Sequence, residues 1–476
     1  MSEPARVAIV GGGISGLSAA YFLERDAAAR GQSVQIDLFE AASRLGGKIQ
    51  SIRQDDLLLE LGAESFLSRK TPAVDLCREV GIDKQLRGTR AENRKTFVWH
   101  DDRLHPLPKG LSGFVPGNMN SLFSTSLLNL RGKLRVAADY VIPASRRSED
   151  ESLAHFMTRR LGKQAYQRLV QPLLCGIYAA DGEQLSLQAT YPELRKLEQA
   201  SGSLIRGLKL RQQRAQQAGG KPLPPFVTLP NGMSDLIEAV AGKLVTTKIH
   251  LNAGVKDCQQ HNRGWAVRLN ADADAHVASH YDALLMSCPA YKTSQLLSKA
   301  LPAVADPLNE IPHVSTATVN LWYAAKSFSH PLDGYGFVIP SHEQRGLTAV
   351  TWTSSKHHDR APDDWRLIRG YVGRAGAEID DEMSDEEMVA IVLRELKRTM
   401  GIHEKPVGTR IQRWLKGSPQ YTLGHCDKLQ KIDEALAEQP GLFLCGASYR
   451  GVGIPDCIRE AGNAIEAVFH YLEGKT

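Results

Sequence analysis

Three glycines and one glutamate carry the first chemistry in this chain. In VAIVGGGISGLSAAYFL (Val7–Leu23), Gly11, Gly13 and Gly16 are spaced as GxGxxG after an apolar run, and Ile14, Leu17 and Tyr21 then recur at helical period. Gly11 permits a tight turn, Gly13 lets backbone approach a pyrophosphate, and Gly16 lets helix and strand pack closely. Gly12 and the backbone of Ile14 and Ser15 complete the turn, whose N–H groups at the positive end of the helix favour phosphate. A second apolar run, Val34–Phe39, ends at Glu40. Its carboxylate suits both hydroxyls of an adenosine ribose and repels a 2′-phosphate, which disfavours NADP. Dinucleotide binding follows, with FAD and NAD both open.

The next residues favour FAD. After Glu40 comes AASRLGGKIQSI, with Ala41, Arg44, Gly46, Gly47 and Lys48 following the acidic residue directly. This resembles the second fingerprint of the flavin amine oxidase superfamily, in which backbone and a basic side chain approach the FAD diphosphate and ribityl. Leu57–Leu61 then leads into GAESFLSRK (Gly62–Lys70). Small residues at Gly62 and Ala63, followed by Glu64 and Ser65, would let this loop lie flat against an isoalloxazine ring.

These residues need a scaffold, and 476 residues exceed one ordinary hydrophobic core, so at least two domains are expected. Hydrophobic residues at 42% and charged residues at 23% give a soluble globular profile. No apolar run approaches ~18 residues, which argues against a membrane span, and the N-terminal apolar run is too short for a secretory signal. Seven scattered cysteines without CxxC spacing argue against a disulfide framework or zinc site and for a reducing compartment. No metal motif or nucleophilic triad is present, and the pair His357–His358 reads as solvated loop.

The net charge of +5 conceals a basic middle: Arg103–Lys221 holds 18 Lys and Arg against 8 Asp and Glu. That suits a membrane surface or polycarboxylate ligand, or simply a solvated helical surface. The dispersed basic residues carry no nucleic-acid-binding motif. From about Leu104 to Leu210 the pattern is helical, with Asp150–Leu161 and Lys163–Leu174 at helical period and a break at Pro172. Gln212–Pro225 reads as a helix end and linker. Strands are expected at Trp265–Leu269, Tyr281–Ser287, Thr316–Tyr323, Thr348–Thr353 and Leu367–Val372. Ser384–Met400 reads as a helix capped by Ser384 and Glu387.

Three further segments carry a narrower resemblance. LCGIYAADGEQLSLQATYP (Leu174–Pro192), PQYTLGH (Pro419–His425) and GASYRGVGIPDCI (Gly446–Ile458) resemble the porphyrinogen oxidases, the family of protoporphyrinogen oxidase and bacterial coproporphyrinogen III oxidase. Ala63 stands where proline is common, and Asn231 replaces a usual glycine.

The resemblance implies an α/β fold in three parts. A discontinuous Rossmann-like FAD domain takes 1–66, 226–300 and 415–476; a mixed α+β substrate domain takes 67–104, 211–225 and 301–414; a helical domain at the membrane surface or the mouth of the site takes 105–210. It further implies non-covalent FAD and oxygen-dependent, six-electron conversion of a porphyrinogen to a porphyrin in haem biosynthesis, with hydrogen peroxide released. Coproporphyrinogen III is the favoured substrate and protoporphyrinogen IX the alternative; an amine oxidase or carotenoid desaturase is the other superfamily chemistry. Lys70, then Arg69, are implied partners of the propionates, with Ile177 and Tyr178 as pocket walls. Val255 is implied at the adenine side and Trp414 near the cofactor. Gly446, Val452, Gly453 and Ile454 would meet the ring, and a helix beginning near Asp456 would direct its positive end there. No catalytic side chain is required, because the flavin carries the chemistry. The implied location is cytoplasmic, with room for a peripheral contact at the inner membrane face, a homodimer and product hand-over to a ferrochelatase.

Overall fold

The buried apolar runs assemble first into a five-stranded parallel sheet. The computed structural model describes residues 3–112, 114–117, 119–145, 149–217, 223–261, 264–270 and 278–474. In spatial order the strands are Lys248–His250, Val34–Phe39, Ala5–Val10, Ala283–Met286 and Leu442–Leu444. Both faces are covered, which is why Val7–Val10 and Ala283–Met286 are apolar at every position. Helices Ile14–Arg30 and Ile454–Glu473 pack together on one face over a core that includes Leu17, Leu23, Ile465 and Phe469. The strands come from the start, middle and end of the chain, as a discontinuous Rossmann-like unit requires.

A seven-stranded sheet forms the second layer. Its order is Gly408–Pro419, His313–Ala324, Trp365–Val372, Leu347–Thr351, Gly336–Val338, Thr96–His100 and Arg103–Pro106. Neighbours are antiparallel except Gly336–Val338 beside Thr96–His100. The helix Asp385–Met400 covers one face, held at its start by a full capping box between Ser384 and Glu387. Helices between Met119 and Gln217 share a core with Val338 and Ala349 of this sheet. Among the described residues no helix is long and apolar enough to cross a membrane.

Several sequence expectations shift. The strand Gly408–Pro419 runs through the expected boundary at 415, because its ladder with His313–Ala324 continues to Pro419. The helix Pro302–Asn309 packs with Ala8, Val10 and Leu429, so residues just past 300 belong to the core of the parallel sheet. Arg103–Pro106 crosses the boundary at 104, and Leu204–Gln217 crosses that at 210; residues 218–222 of the expected linker lie outside the described residues. Pro172 interrupts the α-helical ladder without ending the helix: the run from Lys163 to Tyr178 passes through a π-helical stretch, Tyr166–Val170, immediately before the proline. The C-terminal helix begins at Ile454, two residues before Asp456.

The basic middle is also re-read. Arg135 donates to the carbonyls of Arg159 and Arg160, Arg168 to that of Leu127, and Arg159 and Arg195 to Glu151. Part of its positive charge thus caps helix ends and crosslinks the region, while Arg103, Lys109, Arg131, Lys163, Lys196, Arg206 and Lys209 remain exposed.

Candidate active site

The N-terminal glycine turn is closed from behind and open in front. Gly11 has φ +111°, and a Cβ on Gly16 would stand 1.9 Å from the Gly11 carbonyl oxygen, so the helix sits against the turn only because Gly16 lacks a side chain. At Gly13, which precedes Ile14 and the buried Ser15 at the helix N-terminus, no atom lies within 4 Å of a Cβ position. That leaves room for a phosphate on the helix axis. Glu40 orders the turn: its Oε2 accepts from Gly12 N–H (2.7 Å) and its Oε1 from Ala42 N–H (2.8 Å). Backbone bonds from Asn252 and Ala253 to the carbonyls of Ala42 and Glu40 bring the start of strand Val255–His261 beside Ala41. Val255 is thus placed close to Glu40 and Ala41.

The second fingerprint closes on the first. Gly46 N–H donates to the Gly12 carbonyl (2.8 Å), and a Cβ on Gly47 would stand 3.3 Å from Gly13 Cα. Arg44 donates to the carbonyls of Leu45 (3.0 Å) and Gly47 (2.7 Å), so its guanidinium holds its own loop in shape. Lys48 bonds the Gly417 carbonyl; it is exposed although protein crowds it closely enough to lower its pKa by desolvation.

The loop Gly62–Ser65 is fixed from the sheet beneath it. The Leu61 carbonyl accepts from Thr318 Oγ1 (2.8 Å), Trp414 Nε1 (3.0 Å) and Arg369 Nη2 (3.2 Å), and the Gly62 carbonyl from Arg369 Nη2 (2.5 Å). Trp414 therefore anchors the loop as well as bordering it. At the far end, Gly446 has φ +129°, and its Cβ position lies 3.4 Å from the Ser287 carbonyl and 3.8 Å from Ser15 Oγ. This brings the C-terminal turn against the N-terminal one. Gly453 caps the helix that starts at Ile454, and the preceding Val452 is half-buried.

The three segments of narrower resemblance meet in space. Ser186 N–H donates to the Tyr421 carbonyl (2.8 Å), Gln420 Nε2 to the Tyr178 carbonyl (2.9 Å), Tyr421 Oη to the Ala447 carbonyl (2.7 Å) and Gly451 N–H to Tyr421 Oη (2.8 Å). Tyr178 and Tyr191 make an edge contact, and Ile177 is 58% exposed beside them. Lys70 is not a free cation: Nζ lies 2.6 Å from Asp456 Oδ2, while Arg459 holds the other oxygen at 2.9 Å. Arg69 is exposed.

Sequence reasoning missed a charged group beside Gly62–Ser65. Glu64 is bonded by Lys356 and faced by His357 (3.6 Å) and Arg369 (3.7 Å). Burial alone would raise the Glu64 carboxyl, but these neighbours hold it well below the usual carboxylate range. His357, expected in a solvated loop, is 1% exposed, and burial lowers its pKa; His358 alone is exposed. Arg369 lies under the Tyr371 ring, 4.9 Å from its centroid. The strand WRLIRGYV carried a signal: an arginine at an otherwise apolar inward position, with a tyrosine two residues on and so on the same face. Among the described residues no cluster of three His, Cys, Asp or Glu side chains could hold a metal ion.

His425 is buried against Tyr421, with ring centroids 4.2 Å apart, and its Nε2 bonds the Tyr449 carbonyl. Burial pulls its pKa from 6.5 to about 4, with Lys428 and Arg450 adding to the shift and Asp150 opposing it. Between those values the unfolded chain binds the extra proton, so stability falls as pH is lowered through that window. The thermal midpoint of His425→Gln should therefore depend less on pH from 6.5 to 4 than that of the parent chain; parallel curves would exclude His425 as a source of acid sensitivity.

A profile of the family "Flavin containing amine oxidoreductase" matches residues 14–468. Coproporphyrinogen III oxidase of Bacillus subtilis strain 168 is 36% identical over 469 residues, 98% of each chain. That of Staphylococcus aureus strain NCTC 8325 is 34% identical over 476 residues, 98% of this chain and 99% of that one. A crystal structure from Exiguobacterium sp. 255-15, provisionally assigned as a protoporphyrinogen oxidase, superposes with a TM-score of 0.86 at 33% identity, covering 99% of this chain and 100% of that one.

Proposed function

Since the chain belongs to the flavin-containing amine oxidoreductases, and within them to the porphyrinogen oxidases, we propose that it converts coproporphyrinogen III to coproporphyrin III in haem biosynthesis. The observation that carries this reading is the convergence of residues 174–192, 419–425 and 446–458 around Tyr421. FAD, when bound, would supply the oxidising chemistry: three two-electron oxidations, each removing a hydride from a meso carbon and a proton from a pyrrole N–H, with dioxygen reduced to hydrogen peroxide.

The chain's own groups bind and orient. Gly11–Gly16 and Glu40 would hold the diphosphate and adenosine ribose, Ala41, Arg44, Gly47 and Lys48 the adjoining loop, and Gly62–Ser65 with Val452–Ile454 the ring. The N-terminus of Ile454–Glu473 favours negative charge by about 0.3–2 kcal/mol. Asp456 in its first turn would cancel that benefit if unpaired, and its contacts with Lys70 and Arg459 prevent this. Tyr178, Tyr191 and Ile177 supply the flat apolar wall that a tetrapyrrole needs.

The test uses the purified flavoprotein in air with coproporphyrinogen III and, separately, protoporphyrinogen IX, followed by porphyrin fluorescence. A faster rate with coproporphyrinogen III is expected; no rate above autoxidation with either would overturn the reading, and a faster rate with protoporphyrinogen IX would reassign the substrate. Lys70→Ala should raise KM for the tetracarboxylate about tenfold, the value of one charge-assisted hydrogen bond, and less for the dicarboxylate. Equal effects would leave Lys70 only its structural bond to Asp456. A peripheral contact with an anionic membrane fits Phe123, Leu130, Leu134 and Val141, exposed beside Arg131. Vesicle sedimentation at two salt concentrations checks it.

A further inference from the structure

We propose that Tyr421 is a positioning residue for the porphyrinogen reaction: its hydroxyl fixes the turn that would meet the flavin, Val452–Ile454, relative to the wall that carries Tyr178. The inference rests on the porphyrinogen reading above. Tyr421 is 1% exposed, so it acts through the backbone around it and not on a ligand. Its first support is the set of bonds that the side chain makes. Between the strand Leu442–Leu444 and the helix Ile454–Glu473, residues 445–453 belong to no helix or strand, so their backbone must be held from outside. Tyr421 Oη uses both of its hydrogen-bonding roles here, donating to the Ala447 carbonyl (2.7 Å) and accepting from Gly451 N–H (2.8 Å). The ring stacks on His425, whose Nε2 donates to the Tyr449 carbonyl (2.8 Å). Alternate residues 447, 449 and 451 are thus referenced to one segment, Tyr421–His425.

The far end of this clamp has little slack. Gly451 has φ +141°, and a Cβ there would stand 2.4 Å from the Cβ of Asp456, so the clamped residue lies directly against the first turn of the C-terminal helix. No side chain caps that helix at Gly453, which leaves its first N–H groups to face a ligand. The second support lies on the other side of the segment. Ser186 N–H donates to the Tyr421 carbonyl (2.8 Å), Gln420 Nε2 to the Tyr178 carbonyl (2.9 Å) and Leu423 N–H to the Gln184 carbonyl (2.9 Å). The segment that clamps the helix start is therefore tied as well to residues 178–186, beside the exposed Ile177. Hydride transfer is sensitive to small misplacements of its two partners, so a residue that sets their spacing acts on kcat more than on binding.

Tyr421→Phe keeps the ring and its stack on His425 and removes only the hydroxyl. The variant should purify with full flavin content and show kcat for coproporphyrinogen III lowered about tenfold, with KM changed less than twofold. The midpoint potential of its bound flavin should fall by about 30 mV, a tenfold change in a two-electron equilibrium, because the helix start no longer holds its place against the reduced ring. A merely structural hydroxyl would lower thermal stability and leave the potential and kcat of the flavin-loaded protein unchanged; that result, or a raised KM at unchanged kcat, would overturn the proposal. His425→Phe, which releases only the Tyr449 carbonyl, is the second variant should the first lose its flavin, and it should shift the potential in the same direction by a smaller amount. Loss of flavin from both variants would also overturn the proposal, since the segment would then retain the cofactor and not position it. Failure of the underlying reading looks different: the unmodified enzyme would oxidise neither porphyrinogen, whereas the potential is read without any substrate.

Discussion

Gly62→Ala should yield protein that folds but purifies with little flavin and no measurable porphyrinogen oxidation. A Cβ at this position would stand 1.7 Å from the Lys48 carbonyl oxygen, whereas ordinary C···O contacts lie near about 3.3 Å. The obstacle is backbone, so no side-chain rotation relieves it. Lys48 belongs to the second fingerprint, and Gly62 begins the loop held by Thr318, Trp414 and Arg369. Separating them by more than about 1 Å opens the seam between the two segments that would contact the cofactor, and a misplacement of that size costs on the order of 10²-fold in rate. The visible absorption spectrum of the purified variant, with circular dichroism as the folding control, checks the outcome. Full flavin content and normal turnover would show that the loop can shift at no cost.

Arg160→Met should have the opposite profile: retained flavin and a destabilised helical region. Arg160 and Asp139 are fully buried, and Glu198 is 1% exposed. The Arg160 guanidinium donates to Asp139 Oδ1 (2.7 Å) and to the carbonyls of Ile142, Pro143 and Gly202. Asp139 Oδ2 in turn accepts from Ser203 Oγ (2.5 Å) and Ile205 N–H (3.0 Å), capping the next helix. Removing the cation strands the buried Asp139 carboxylate, for about 3–5 kcal/mol, while Glu198 keeps its two bonds from Arg159. Because Tyr178 and Tyr191 pack on this helical core, turnover should fall with the loss of helical order while flavin absorbance persists. Urea unfolding followed by far-UV circular dichroism and by flavin fluorescence should separate into two transitions in the variant. Coincident transitions at the unmodified midpoint would refute the role assigned to Arg160.

Much of the cofactor site was legible because its signals are local. A glycine turn, an acidic strand end and a capping box each lie within a few residues, and their geometry follows from backbone sterics. The strands expected at Thr316–Tyr323 and Leu367–Val372 were found, starting three and two residues earlier at His313 and Trp365, for the same reason: β-branched and aromatic alternation is a short-range pattern. Domain edges were less legible. Whether Pro302–Asn309 packs on one sheet or another depends on which surface meets it, and nothing within those eight residues records that.

The sequence by itself determined the cofactor class, the discontinuous α/β architecture and the family, since glycine spacing and the three late segments bear on them directly. Only the tertiary structure decided how the charges are used. Lys70 meets Asp456 across 386 positions and Lys356 meets Glu64 across 292, and His357 leaves its expected solvent-facing loop for the interior beside them. Charge pairing acts through space and grows stronger where water is excluded, so which cation remains available to a substrate is set by the packed chain and not by its order.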